Sequence, residues 1–168
     1  MQPLDPSEAS KVTPMADEPR WLDETETRAW RGFIEVSGRV VQALDASLKD
    51  SAEMTFDDYE VLVHLSEAPD RRLRMTELSE RLLHSQSRLT QRVDRLVKRG
   101  WVCREKCDED RRGTFAVLTG DGFAAIDAAA PQHLADVRRF LLDHIRPDEL
   151  ASVADIFERI AESARETQ

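Results

Sequence analysis

The chain has 168 residues, of which 40% are hydrophobic, and a formal net charge of −9 at pH 7. This length supports one domain with a core of ordinary size and is short for two independent domains. No apolar run approaches the roughly 18 residues that a membrane-spanning helix requires, and two cysteines do not make a disulfide framework. We therefore expect a cytoplasmic protein that has no membrane partner.

The net charge conceals an uneven distribution along the chain. Residues 71–112 contain 13 Lys and Arg against 7 Asp and Glu, whereas the remaining residues contain 11 against 26. A basic segment inside an acidic frame is typical of a module that reads DNA and is flanked by solvated helices. A helix-rich surface with randomly uneven charge is the alternative that charge alone leaves open.

The chain begins with an arm and two helices. Residues 1–19 hold four prolines and few large apolar groups, which predicts a flexible arm. Within residues 20–50 apolar side chains recur at helical spacing, which predicts one long amphipathic helix. A second helix follows Thr55, because Thr55 and Asp58 have the spacing of a capping box. The apolar positions of the long helix are Trp30, Phe33, Ile34, Val40, Val41, Leu44 and Leu48.

The run after Arg71 predicts a helix, a turn and a second helix. Thr76 has the position of an N-cap for a short helix that buries three leucines. The polar turn HSQS supplies a second N-cap, a longer helix runs from about Gln86 to Arg99, and Gly100 stands where helices often end in left-handed geometry. The leucines are Leu78, Leu82 and Leu83.

The longer of these helices has an apolar and a polar face. At 100° per residue, Leu89, Val93, Leu96 and Val97 share one side. The opposite side is rich in side chains that read base edges, since arginine can bind guanine and glutamine can pair with adenine. Those residues are Ser87, Arg88, Gln91, Asp94, Arg95 and Lys98. A solvated face is the better explanation for a lone helix, but the neighbouring capped helix and basic hairpin favour DNA.

Two β-prone runs, WVCREKC and TFAVLT, flank the turn-forming residues DEDRRG and predict a hairpin. Asp110 stands two residues before Arg112, near enough to restrain its guanidinium by a charge-assisted hydrogen bond. An arginine projecting from the tip, Arg111 or Arg112, suits a narrow minor groove. Stabilisation of the hairpin alone is the alternative.

Residues 120–166 predict two more amphipathic helices. Thr119 can cap the first, Pro131 should kink it near its middle, and Pro147 opens the second. Helices this apolar need a partner, and we expect self-association through them, with packing against the first helix of the same chain as the alternative. Their apolar positions are Phe123, Ile126, Leu134, Val137, Phe140, Leu141 and Ile145, followed by Leu150, Val153, Ile156, Phe157 and Ile160.

Together these segments resemble the MarR family of winged helix-turn-helix transcriptional regulators. The resemblance spans about residues 28–165 and is carried by TFDDYEVLVHLSEAP, MTELSERLLHSQSRLTQRVDRLVKRGWV, DEDRRGTFAVLTGDG and IRPDEL. Its most specific part is the DRRG of Asp110–Gly113 with the LTxxG of Leu118–Gly122. It implies a mainly α fold with a small β-hairpin wing, in which residues 54–119 form the DNA-binding lobe and the long N- and C-terminal helices form a homodimer.

The resemblance also implies which residues contact double-stranded DNA. The helix that follows Ser85 would lie in the major groove, and the wing would enter the adjacent minor groove, where Asp110 would position Arg112. Two-fold symmetry then predicts a pseudo-palindromic operator with half-sites about one helical turn apart. The DNA-binding residues expected in this way are Ser85, Ser87, Arg88, Thr90, Gln91, Arg95, Asp110, Arg111 and Arg112.

A small-molecule effector is a further implication of the resemblance. Many family members bind a small anionic aromatic between the dimer helices and the DNA-binding lobe, so we expect a repressor that such a ligand releases from DNA. Trp30, Phe33, Tyr59 and His64 come from the helices that would line this crevice. Ordinary core packing is the simpler explanation for each of them.

The alternative functions are redox control, protein interaction without DNA binding, and catalysis. Cys103 and Cys107 lie near Arg104 and Lys106, whose charge favours a reactive thiolate, so redox control of the wing is one alternative. A winged-helix interaction module without DNA binding is another, although it would lack the basic wing. The histidines are scattered and no catalytic or nucleotide-binding motif is present. We therefore expect no enzyme activity, no metal and no cofactor.

Overall fold

The computed structural model describes residues 19–106 and 113–166, and these form a mainly helical fold with one small sheet. The chain divides into two compact units, residues 1–36 and residues 37–168. No helix within the described ranges is long and apolar enough to cross a membrane. The elements are α1 (Glu24–Ala52), α2 (Phe56–Glu67), β1 (Arg72–Arg74), α3 (Met75–Arg81), α4 (Gln86–Lys98), β2 (Val102–Lys106), β3 (Thr114–Leu118), α5 (Gly120–Phe140) and α6 (Leu150–Glu166), with short 3-10 turns at Pro69–Arg71 and Leu142–His144.

The predicted long first helix is present as α1, but its apolar positions are buried only near its C-terminal end. Leu44 and Leu48 belong to the core. Trp30 and Phe33, in contrast, are 56% and 48% exposed, so packing among residues 19–106 and 113–166 does not bury them. The two aromatic groups therefore belong to an exposed apolar surface of α1.

The N-terminus of α2 has the predicted capping box. The Asp58 amide donates to Thr55 Oγ1 at 3.1 Å, and the Thr55 amide donates to Asp58 Oδ2 at 3.3 Å. Two backbone donors that the helix itself cannot satisfy are thereby paired. The cap fixes the residue at which α2 begins.

The helix-turn-helix is confirmed, with two errors in detail. Ser85 caps α4 by accepting from the Arg88 amide at 3.3 Å. Thr76 is not an N-cap, because the chain leaves β1 directly into α3 and Thr76 lies one residue inside the helix. Leu83 is 76% exposed rather than buried, since its backbone turns into the left-handed region at φ 52° between the two helices.

The predicted hairpin is the outer part of a three-stranded antiparallel sheet of order β1-β3-β2. β2 pairs with β3 from Val102 opposite Leu118 to Lys106 opposite Thr114. β1, which the sequence did not predict, pairs with the other edge of β3. Gly100 has φ 76° between α4 and the sheet, as its position predicted.

The core lies where the end of α1, helices α2 to α4, the sheet and the first half of α5 meet. Each large side chain buried here contributes about 1.5–3 kcal/mol to folding. Val97, predicted on the apolar face of α4, is 37% exposed and lies at the border of that face. The most deeply buried residues include Leu48, Val61, Leu62, Leu65, Leu78, Leu89, Val93, Leu96, Val102 and Ala116.

The C-terminal helices differ from each other in burial. Thr119 caps α5 as predicted, accepting from the Gly122 amide at 3.0 Å, and the helix continues through Pro131. The helix ends at Phe140, and a 3-10 turn follows. Leu141 and Ile145, which the sequence placed among its apolar positions, therefore lie beyond its end. No residue of α6 is buried. Its exposed apolar side chains include Leu150, Ile156, Phe157 and Ile160.

Candidate DNA-binding surface

Helix α4 presents its predicted polar residues to solvent. Ser87, Arg88, Thr90, Gln91 and Arg95 are all exposed. The opposite side of the helix is anchored in the core through its apolar residues. A helix anchored on one side and rich in guanidinium, amide and hydroxyl groups on the other has the chemistry to read a major groove. DNA contact by each residue stays a prediction.

Arg92 on α4 was not among the predicted site residues, because a sequence does not reveal what a half-buried arginine meets. Its side chain is only 14% exposed. Nη1 donates to Thr55 Oγ1 and to Asp58 Oδ1, each at 3.1 Å, and Nη2 pairs with Asp57. We call Thr55, Asp57, Asp58 and Arg92 the cap cluster, since they join α4 to the capped end of α2.

Two further ion pairs influence the polar face of α4. Arg95 is 56% exposed, yet its Nη2 lies 3.6 Å from Asp58 Oδ1, so it leans toward the cap cluster. Arg104 on β2 pairs with Asp94 at 2.9 Å and donates to the Thr90 carbonyl at 3.3 Å. The polar face of α4 is therefore held by α2 on one side and by the sheet on the other.

The base of the predicted wing is well defined, and its tip lies outside the described residues. Asp110, Arg111, Arg112 and Cys107 all fall in the segment 107–112. Cys103 is an exposed free thiol on β2, opposite Val117 of β3. Redox control through these cysteines stays a prediction.

The residues predicted to line an effector crevice have different surroundings. Trp30 and Phe33 pair with ring centroids 6.2 Å apart in the unit of residues 1–36. Tyr59 is buried, its ring lies 4.3 Å from that of His133, and burial raises its pKa. His64 is half-buried on α2. Core packing accounts for Tyr59, whereas it does not account for the exposed pair.

A groove that the sequence did not predict runs between α1, α2 and α4. Lys49, Arg92 and Arg95 line it together with Asp57, which pairs with Arg92. Asp45 of α1 lies in the same groove and accepts from the Phe56 amide at 3.0 Å. Its hydrogen bond with Lys49 keeps the pKa of Asp45 below the usual value. Within the described ranges, no three His, Cys, Asp or Glu side chains are grouped as metal ligands would be.

A capped helix-turn-helix followed by an antiparallel wing base defines a winged helix-turn-helix protein. A family model described as MarR family matches residues 53–113. Sco3205 is a MarR family transcriptional regulator from Streptomyces coelicolor whose structure was solved in complex with DNA. It is 42% identical to this chain, the likeness covers 88% of this chain and 92% of Sco3205, and the TM-score is 0.83. The chain belongs to the MarR family of transcriptional regulators.

Two other relatives agree with this assignment. AbsC, another MarR family regulator from Streptomyces coelicolor, is 39% identical with a TM-score of 0.82, and the likeness covers 88% of this chain and 99% of AbsC. The transcriptional repressor YetL from Bacillus subtilis is 27% identical over 106 residues. That alignment covers 61% of this chain and 64% of YetL, which is just under two thirds of the relative.

Proposed function

We propose that the protein represses transcription by binding a pseudo-palindromic DNA operator as a homodimer in the cytoplasm, and that a small ligand releases it. The exposed polar face of α4 carries the DNA part of this proposal, because it stands beside a wing base whose closing segment holds Arg111 and Arg112. Sco3205, a relative at 42% identity, has been solved in complex with DNA. YetL is described as a repressor.

The decisive experiment is selection of bound duplexes from a random library with the purified protein. We expect an inverted repeat, and a steep decrease of affinity with salt because phosphate contacts release counterions. Arg112→Ala should weaken binding to the selected operator strongly, whereas Arg146→Ala, which removes an exposed arginine just before α6, should not. Absence of any enriched sequence would refute sequence-specific DNA binding, and wild-type affinity in Arg112→Ala would remove the wing from the mechanism.

The dimer is supported by helix α6. Four large apolar side chains of this helix are more than 40% exposed, among them Ile160 at 54%. A patch of this kind on an otherwise charged helix is typical of an interface. Ile160→Glu should produce monomers in sedimentation at micromolar concentration, while Arg159→Glu on the same helix should remain dimeric. A dimeric Ile160→Glu protein would place the interface elsewhere.

The effector is supported by the groove between α1, α2 and α4. Arg95, whose side chain is 56% exposed, can meet an anionic group, and the Phe56 side chain offers an apolar contact, whereas Lys49 and Arg92 are paired with Asp45 and Asp57. Salicylate serves as a probe because it combines a carboxylate with an aromatic ring. We expect millimolar salicylate to release the protein from its operator, with Lys49→Gln less responsive. Identical release in the variant would exclude this groove.

A further inference from the structure

Asp58 has more partners than a capping residue requires. The residue is only 7% exposed. Its carboxylate accepts hydrogen bonds from the Thr55 amide and from Arg92, the latter at 3.1 Å, and it lies 3.6 Å from Arg95. The helix cap accounts for the first of these contacts. The other two reach across to α4, the helix proposed to read DNA.

Arg92 on α4 also has several partners on α2. Its guanidinium meets a hydroxyl and two carboxylates of the first turn of α2, so it is tied to three separate groups. Arginine presents its donors in a rigid planar fork, which fixes direction as well as distance. Rotation or sliding of α4 against α2 would break several of these contacts together.

The same contacts extend to α1. Asp45 accepts a hydrogen bond from the amide of Phe56. Phe56 is the first residue of α2 and follows the capping residue Thr55. Hydrogen bonds on the adjacent residues Thr55 and Phe56 therefore connect the start of α2 with Arg92 on α4 and with Asp45 on α1. They link the helix that precedes the DNA-binding lobe with the face that is proposed to meet bases.

We propose that Asp58 and Arg92 are positioning residues for sequence recognition, an inference that rests on the proposed DNA-binding function. They set the orientation of α4, and Asp58 also restrains the exposed guanidinium of Arg95. Neither residue contacts DNA. Their loss should therefore lower discrimination between sequences more than it lowers affinity for DNA in general.

The variant that tests this is Asp58→Asn. Asparagine keeps an oxygen that can accept from the Thr55 amide, so the helix cap is retained while the negative charge beside both arginines is removed. We expect the ratio of the scrambled-duplex Kd to the operator Kd to decrease about tenfold, within the roughly 5- to 150-fold that one bidentate base contact contributes. Affinity for the scrambled duplex should change by less than about twofold, because no phosphate contact is lost.

Asp148→Asn is the matched control, since it removes an exposed carboxylate that lies 3.5 Å from Arg146. It should leave the ratio unchanged. Arg92→Gln should also lower the ratio, and the double variant should lose clearly less than the sum of the two single losses, because the two residues share the Asp58–Arg92 contact. An unchanged ratio in folded Asp58→Asn protein, or losses that add in the double variant, would overturn the inference.

Hydrogen exchange of the free protein provides a readout that does not depend on DNA. In Asp58→Asn, amides of α4 should exchange faster than in the wild type, while amides of α5 exchange at the same rate. Equal exchange in α4 would overturn the inference by itself. A wild-type protein that selects no sequence would refute the proposed function instead, so the two failures are distinguishable.

Discussion

Gly122, in the first turn of α5, has no room for a side chain. A Cβ at this position would lie 2.1 Å from the Trp101 carbonyl oxygen and 2.8 Å from Leu118 Cδ1. The leucine methyl can move, but the carbonyl is backbone and accepts from the Thr119 amide at 3.0 Å. Relief of the clash must therefore shift the segment that joins α4 to β2 or break that hydrogen bond.

We expect Gly122→Ala to lower the free energy of unfolding by about 2 kcal/mol. Overpacking a tight site costs about 1–3 kcal/mol and a lost hydrogen bond about 0.5–1.5 kcal/mol. The better helix propensity of alanine offsets at most about 1 kcal/mol of this. Urea unfolding followed by circular dichroism, at one fixed protein concentration, measures the difference.

Gly120→Ala is the control, because nothing lies within 4 Å of the corresponding Cβ two residues earlier in the same turn. Its stability should equal or slightly exceed that of the wild type. If Gly122→Ala unfolds at the same urea concentration as Gly120→Ala, the close approach of α5 to Trp101 is wrong.

Three further predictions concern single side chains. Thr55→Ala should lose about 1 kcal/mol of stability by urea unfolding, whereas Thr55→Ser should lose little, since serine also caps a helix. Burial against Tyr59 lowers the pKa of His133 below its ordinary 6.5. The unfolded chain therefore binds a proton at this residue more readily than the folded chain does, and the Tm should decrease as the pH falls below about 6.5. His133→Gln should flatten that dependence between pH 7.5 and 5.5, and an unchanged slope would assign it to other groups. Gln91→Ala should relax the base preference found by selection by about 1–3 kcal/mol at one position, whereas a uniform loss on all sequences would make Gln91 a phosphate contact.

Local signals in the sequence were sufficient for most of the helices. The capping box of Thr55 and Asp58 and the cap at Ser85 involve residues three positions apart, so they are readable from spacing alone. Gly100 marked the end of α4 because glycine readily adopts the left-handed geometry, φ 76°, found there. The outward face of α4 followed from its helical period.

Features that depend on distant partners were not predictable in the same way. β1 is three residues long, too short for a periodic pattern, and exists because it pairs with β3 more than 40 residues later. The missing strand also explains the error at Thr76, since α3 starts where β1 ends. From the sequence, Arg92 resembles the other surface charges of α4, because its partners Asp57 and Asp58 lie on α2. The exposure of Trp30 and Phe33 depends on which distant residues pack against α1, and helical spacing does not reveal that.

The register of the hairpin has a consequence for how this protein can diverge from its relatives. β2 and β3 are paired up to Lys106 and Thr114, and Arg104 ties this ladder to α4. Residues 107–113 are the stretch of sequence that connects those two ends. Under the proposed function, exchanging residues 107–113 between family members should therefore change the minor-groove preference separately from the bases that α4 reads.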